Sequence, residues 1–306
     1  MPPLDRRTLL AGSLGLAAAL VAGCGSGRLG GTAAPTKPSS PSASPSPQPS
    51  VTATASPSSQ PSATATVSPP VLDPAAMAAR ATVPVLCWHQ LRDWRADDSD
   101  YSRRLLICPP MNFRAQLNAL AEDGWTTITP DQYLEHVTTG AALPAKPVLL
   151  SFDDSQGSQM TEGLPQLRER SMTATFFCMT VVLDKPDWMS RDDVRQLADA
   201  GMTVAAHTYD HHRADRYTDQ DWKLQLDGPR ELLEQVIHRP VEHFAYPYGA
   251  WAPTAFEHLQ AAGYKTAFQL SDDAMDPEAP LLTLRRILVD SNWTGEDALQ
   301  QVRGPV

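Results

Sequence analysis

Eight short apolar runs alternate with amphipathic stretches along the C-terminal part of this 306-residue chain, and that alternation constrains the fold more than any other feature. The runs are Val83 to Trp88, Trp125 to Ile128, Val148 to Phe152, Thr173 to Met179, Thr203 to Ala206, His243 to Tyr246, Thr266 to Gln269 and Arg286 to Val289. Between them, Phe113, Leu117 and Leu120 recur at helical spacing, as do Val194 with Leu197 and Phe256 with Leu259. These three segments stop at Gly124, Gly201 and Gly263, where a left-handed C-terminal cap wants a residue without a Cβ. Alternating β and α elements predict an α/β fold with a mostly parallel sheet. Length and strand number favour a distorted (β/α) barrel over an open sheet. In such barrels functional groups gather at the C-terminal ends of strands. His89, Asp153, Asp154, His207 and Tyr248 all fall at such ends.

Those positions carry a chemistry. Ser151-Phe152-Asp153-Asp154 closes one buried run, and His207-Thr208-Tyr209-Asp210-His211 follows another. Either motif alone is weak: an Asp pair is commonly a solvated turn, and a single His-x3-His is commonly structural. On a helical turn the His spacing places both imidazoles on one face. Together, one Asp and two His make a three-ligand set for a hydrolytic metal with a position left for water, and the second Asp is free to act as a base.

Three ordered motifs resemble those of the polysaccharide deacetylases with a NodB-like domain, carbohydrate esterase family 4, over essentially all of residues 80 to 290. Ser151-Phe152-Asp153-Asp154 is similar to the family's Thr-Phe-Asp-Asp, His207-Thr208-Tyr209-Asp210-His211 to its His-Ser/Thr-x-x-His, and Phe244-Ala245-Tyr246-Pro247-Tyr248-Gly249 to its Arg-x-Pro-Tyr. The resemblance implies a NodB-like barrel. It implies Asp153 as general base, Asp154, His207 and His211 as metal ligands, and zinc as the metal, although the donor set also admits cobalt, nickel or iron. It implies that the backbone N–H of Tyr248 helps hold the oxyanion.

Three departures accompany it. No histidine follows His258, where the family usually has a late Leu-x-x-His; Leu86-Cys87-Trp88-His89 stands at the first strand instead. This resembles the circularly permuted branch that includes poly-N-acetylglucosamine deacetylases. First and last strands of a closed barrel are neighbours, so His89 is expected as the general acid; the alternative is a structural His at a strand end. Ala245 replaces an Arg that pairs with the base, and Arg286 is expected on the substrate side with Tyr248, either supplying that charge or lying at the surface. Ser155 replaces a Gly that bears on the turn after Asp154. Asp290 could orient a catalytic His. His136, His212, His238, His243 and His258 read as local structural residues, and Trp94, Trp188 and Trp293 as either groove or core.

The expected function is removal of acetyl groups from N-acetylated envelope or extracellular polysaccharide. The alternatives are a non-catalytic glycan-binding relative and an O-acetyl polysaccharide esterase. The net charge of −10 argues against a nucleic-acid partner, and a monomer is expected.

The N-terminal part reads as targeting and tether. Arg6-Arg7 precedes an apolar run, Leu14 to Val21, too short to span a bilayer. It ends in Val21-Ala22-Gly23-Cys24, which resembles a bacterial lipobox; the alternative is a plain secretory signal. Residues 1–23 are therefore expected to be a signal peptide, with the twin arginines pointing to export of a folded protein. Residues 24–78 are expected as a lipidated Cys24 and a Pro/Ser/Thr-rich tether, too poor in large apolar side chains to fold. Extended, its prolines would carry it on the order of 100 Å from the membrane. Residues 79–306 form the expected deacetylase domain. Cys87, Cys108 and Cys178 cannot all pair internally, and buried free thiols are the plainer reading for Cys87 and Cys178.

Overall fold

The computed structural model describes residues 73–270 and 273–304. The expected signal peptide, the expected acylation at Cys24 and the expected tether up to residue 72 lie outside the described residues. The described residues include structure ahead of residue 79: a helix spans Pro74–Arg80, capped by the Asp73 carboxylate on the N–H of Ala75, with Met77 buried.

Among the described residues ten strands follow: β1 (Val85–Trp88), β2 (Gln90–Leu91), β3 (Ile107–Cys108), β4 (Thr126–Thr127), β5 (Pro147–Asp153), β6 (Thr175–Cys178), β7 (Thr203–Ala206), β8 (His243–Ala245), β9 (Thr266–Phe268) and β10 (Ile287–Leu288). The main sheet runs β10-β1-β5-β6-β7-β8-β9, with β4 also on β5, and every pairing is parallel. The sheet curls round on itself. The segment before β10 reaches β9 through a parallel bridge between Phe268 and Leu284, where the N–H of Gln269 donates to Leu284 O at 2.9 Å. The first and last strands of the barrel are thus neighbours, as a permuted chain requires. The three anticipated helices are present at Pro110–Glu122, Arg191–Asp199 and Thr254–Ala261. Gly124, Gly201 and Gly263 follow them at φ of 79°, 82° and 92°.

Strand periodicity decides what faces where. Side chains alternate across a strand with a period of two. One parity holds Val85, Leu149, Phe177, Ala205, Ala245, Phe268 and Leu284, the buried cluster lining the barrel interior. The other holds Leu86, Trp88, Leu150, Phe152, Phe176, Val204 and Phe244, which pack beneath the helices. The inner parity, continued one step past each strand, reaches His89 from β1, Asp153 on β5 and His207 from β7. The register pairs Cys87 with Ser151 and Trp88 with Phe152, which sets His89 opposite Asp153. Two alternating cores therefore deliver the polar groups to one end of the barrel.

Candidate metal centre and catalytic site

One nitrogen each of His207 and His211 and one oxygen of Asp154 lie within 4.8 Å of one another. His207 Nε2 approaches Asp154 Oδ1 at 3.5 Å and His211 Nε2 approaches the same oxygen at 3.3 Å. The spacing of the two histidines does not work through a helical turn. Residues 207–211 form a loop with left-handed backbone at Thr208 (φ 66°) and His211 (φ 68°). Thr208 Oγ1 accepts the His211 N–H at 2.9 Å, and buried Gln225 accepts the Tyr209 N–H through Oε1. Asp154 and Ser155 are also left-handed, at φ 78° and 64°. Ser155 thus adopts the backbone that a Gly would have allowed freely, and its hydroxyl donates to Met179 O at 3.3 Å. Left-handed non-glycine residues cost of order 1–3 kcal/mol each and cluster where function demands a particular direction.

The donor set fits a cation. His207 Nδ1 faces Ala245 O at 2.8 Å, and a carbonyl only accepts, so Nδ1 carries a proton and Nε2 is the nitrogen turned toward Asp154, the one a cation would take. His207 Nε2 and Asp154 Oδ1 are both buried without a hydrogen-bond partner. Leaving such atoms unpaired costs about 1–3 kcal/mol each, which a bound divalent ion would remove. Burial, with help from His207 and His89, pushes His211 down to about 4, against the pull of Asp154, so the ring is neutral and can donate at neutral pH. Burial works against ionised Asp154, but the neighbouring His207, His89 and His211 hold it well below the usual carboxylate range.

Asp153 has different company. It is buried, and Arg286 grips it with both guanidinium arms, Nη1 to Oδ1 at 2.6 Å and Nη2 to Oδ2 at 2.8 Å. Burial alone would raise the carboxyl; Arg286 and then His207 outweigh it and keep it below its ordinary value. Arg286 Nε donates to Gln269 O, and the guanidinium lies 5.1 Å from the Phe177 ring centre. Its side chain is 0 % exposed. The expectation of Arg286 on the substrate side is corrected: the residue is sealed beneath the base, with no face left for a ligand. Ala245, on the same interior parity, is buried in one cluster with Phe177 and Phe268.

His89 is buried beside them, and a ring nitrogen, an Asp153 oxygen and Cys87 Sγ lie within 4.8 Å of one another. Its Nδ1 has no hydrogen-bond partner. Tyr248 (φ 61°) sets its ring 4.5 Å from that of His211. Asp290 is not directed at a histidine; it pairs with Arg104 at 2.6 Å. His212 binds Asp210, His243 bridges Thr266 and Asp131, and His258 stacks on Trp222, all outside the ligand set. Cys87, Cys108 and Cys178 are free and buried.

Sequence reasoning missed Gln159. This buried side chain donates through Nε2 to His89 O at 2.8 Å and to Asp153 O at 2.6 Å, pinning the ends of β1 and β5 together. It lies in a π-helical turn, Gln159–Gly163. Its partners are backbone carbonyls, one of them seventy residues away, so no side-chain pattern signals it.

The family model for polysaccharide deacetylases matches residues 140–267. That span carries Asp153, Asp154, His207, His211 and Tyr248; the chain is similar to this family there, and its fold is of the NodB-like kind. A Bacillus subtilis (strain 168) protein with a provisional polysaccharide deacetylase name, YxkH, is 22% identical over 70% of this chain and 74% of its own length. The poly-beta-1,6-N-acetyl-D-glucosamine N-deacetylase of Escherichia coli (strain K12) is 23% identical over 71% of this chain, and the match spans only 38% of that longer protein. Among solved structures, the Streptococcus pyogenes deacetylase PplD superimposes with a TM-score of 0.67 at 20% identity, covering 72% of this chain and 98% of that one. At that identity the likeness speaks for the fold alone.

Proposed function

We propose that this protein is a metal-dependent deacetylase that hydrolyses the acetamide groups of N-acetylated polysaccharide in the cell envelope or extracellular matrix. One observation carries the reading: three lone-pair donors converge on a point beside a buried carboxylate that an arginine keeps ionised. Asp154, His207 and His211 would hold a divalent ion, zinc being the first choice for this donor set. Such an ion polarises a carbonyl and acidifies water. Asp153 takes the proton from the attacking water. The Tyr248 N–H donates to the developing oxyanion. His89, on the other side of Asp153, gives the proton that lets the amine leave. Substrates of the matched relatives, an N-acetylglucosamine polymer among them, support this choice of glycan.

Acetate release from N-acetylglucosamine oligomers tests the proposal. Release should vanish after chelation and return with added zinc; no release in the presence of zinc rejects the deacetylase. His89→Ala should lower turnover by about 10²-fold or more while metal content stays near stoichiometric. A fall in bound metal with unchanged turnover per metal would make His89 a ligand or a packing residue instead.

The same reading places the protein outside the cytoplasm on a lipid tether at Cys24. No described helix is long and apolar enough to cross a membrane. Cys24→Ser should abolish incorporation of labelled fatty acid and shift the protein from the membrane to the soluble fraction; an unchanged membrane fraction argues against the anchor.

A further inference from the structure

The described residues contain two π-helical turns, Gln159–Gly163 and Lys223–Asp227, and each carries a fully buried glutamine, Gln159 and Gln225. Turns of this kind are rare and gather at functional sites. We infer that the two glutamines are positioning residues with separate duties: Gln159 sets the acid and the base, and Gln225 sets the metal-binding loop. The inference rests on the deacetylase reading and extends it to residues that act through the catalytic groups.

Gln159 holds the chain at the two groups that move protons. His89 stands one step past the last register pair of β1 and β5, Trp88 with Phe152. Beyond that pair the glutamine replaces the strand ladder. Its amide has two N–H groups, and Nε2 donates to His89 O at 2.8 Å and to Asp153 O at 2.6 Å. The hydroxyl of Ser158, just before it, accepts the Leu91 N–H at 3.0 Å, so the same turn holds the chain at His89 and again two residues on. His89 Nδ1 is buried without a hydrogen-bond partner. The ring is therefore aimed by its backbone and its packing, and the clamp on that backbone fixes where the acid stands relative to Asp153.

Gln225 holds a different segment. Its Oε1 accepts the Tyr209 N–H at 3.1 Å, and its Nε2 donates to Asp210 Oδ1 at 2.8 Å. The same Asp210 oxygen meets His212 Nδ1 at 2.9 Å, so the residues on both sides of His211 are tied to one buried amide. The loop needs such a hold. Thr208 and His211 are left-handed without being glycine, a backbone that persists only where its surroundings over-determine it. The hydrogen bonds of Gln225 go to the loop and none goes to His89 or Asp153; those of Gln159 go to the ends of β1 and β5 and none goes to the loop. Two of the three metal ligands, His207 and His211, lie beyond the reach of Gln159. The two duties are thus separable.

Zinc affinity, read by competition with a chromophoric chelator, and kcat at saturating zinc tell them apart. Gln225→Leu should weaken zinc binding about tenfold and leave kcat per bound zinc within about twofold of wild type. Gln159→Leu should hold zinc within about threefold of wild type and lower kcat on a tetramer of N-acetylglucosamine about tenfold. Its loss on nitrophenyl acetate should be smaller, because a nitrophenolate leaves without the proton that an amine takes from His89. Gln159→Glu and Gln225→Glu keep the side-chain shape with fewer donors. They should show the same crossed pattern in smaller measure, and they serve should a Leu variant not fold. A general loosening of the fold would weaken zinc binding and turnover together in both variants. That result overturns the inference, as do zinc affinity and kcat unchanged in both. If the wild type releases no acetate, the deacetylase reading falls and the duty of Gln159 with it, whereas zinc binding by Gln225→Leu still decides the metal half.

Discussion

Asp153→Asn should leave the metal in place, reduce acetate release by about 10²–10⁴-fold, and lower the melting temperature at the same time. The first two effects follow from the division of labour at the site. Asp154 points at the two histidines, whereas the oxygens of Asp153 are taken up by Arg286. An amide cannot accept the proton of the attacking water. The third effect comes from Arg286, whose side chain is fully buried and whose charge would lose its one hydrogen-bonded carboxylate among the described residues. Breaking one half of a buried ion pair costs about 3–5 kcal/mol, which in a domain of this size is a fall of roughly 10 °C. The double variant Asp153→Asn with Arg286→Met removes the stranded charge and should regain most of the stability without regaining turnover. Metal content, melting temperature and acetate release, taken on the three proteins, separate the roles. Wild-type turnover in Asp153→Asn would reject Asp153 as the base.

How far the sequence could reach is set by how local each interaction is. Strand parity is local, so the apolar alternation by itself places Asp153, His207 and His89 at strand ends. The position of β1 beside both β10 and β5 follows from barrel closure and from the histidine at the front of the domain. What stays hidden depends on backbone conformation or distant partners. The sequence does not reveal that residues 207–211 form a loop with two left-handed residues, because a His-x3-His spacing serves a helix equally well. The sequence leaves Arg286 either supplying the charge that pairs with the base or lying at the surface, since the partner is 133 residues away, and only the buried two-armed pair with Asp153 decides for the first. Gln159 and Gln225 hold backbone groups of the catalytic loops, and a backbone group leaves no trace in residue spacing.

Arg286→Met should move the acid limb of the pH–activity profile upward and cut turnover at neutral pH, with metal content retained. Burial by itself raises the Asp153 carboxyl, and Arg286 is the first of the groups that bring it below the ordinary carboxylate value. The base must be ionised to act, so in the wild type protonation of Asp153 itself does not limit activity until the pH falls under the usual carboxylate range. Without the guanidinium, burial prevails over the weaker help from His207, the folded-state value climbs, and the base is protonated at pH values where the wild type is fully active. Stability follows the same sign. A carboxyl whose folded value lies below its unfolded one stabilises the fold above the unfolded value, and that contribution is lost as pH falls through the folded one. In the variant the carboxyl is costly to keep charged, so acidification should relieve rather than add to its destabilisation over that window. Arg286→Lys should rescue only part of the effect, because a single ammonium cannot reproduce the two-armed grip on Oδ1 and Oδ2. An acid limb that does not move in Arg286→Met would mean that the pairing is packing alone. The chain would then have to tune its base by another route, since Ala245 offers no charge where the family's arginine would stand.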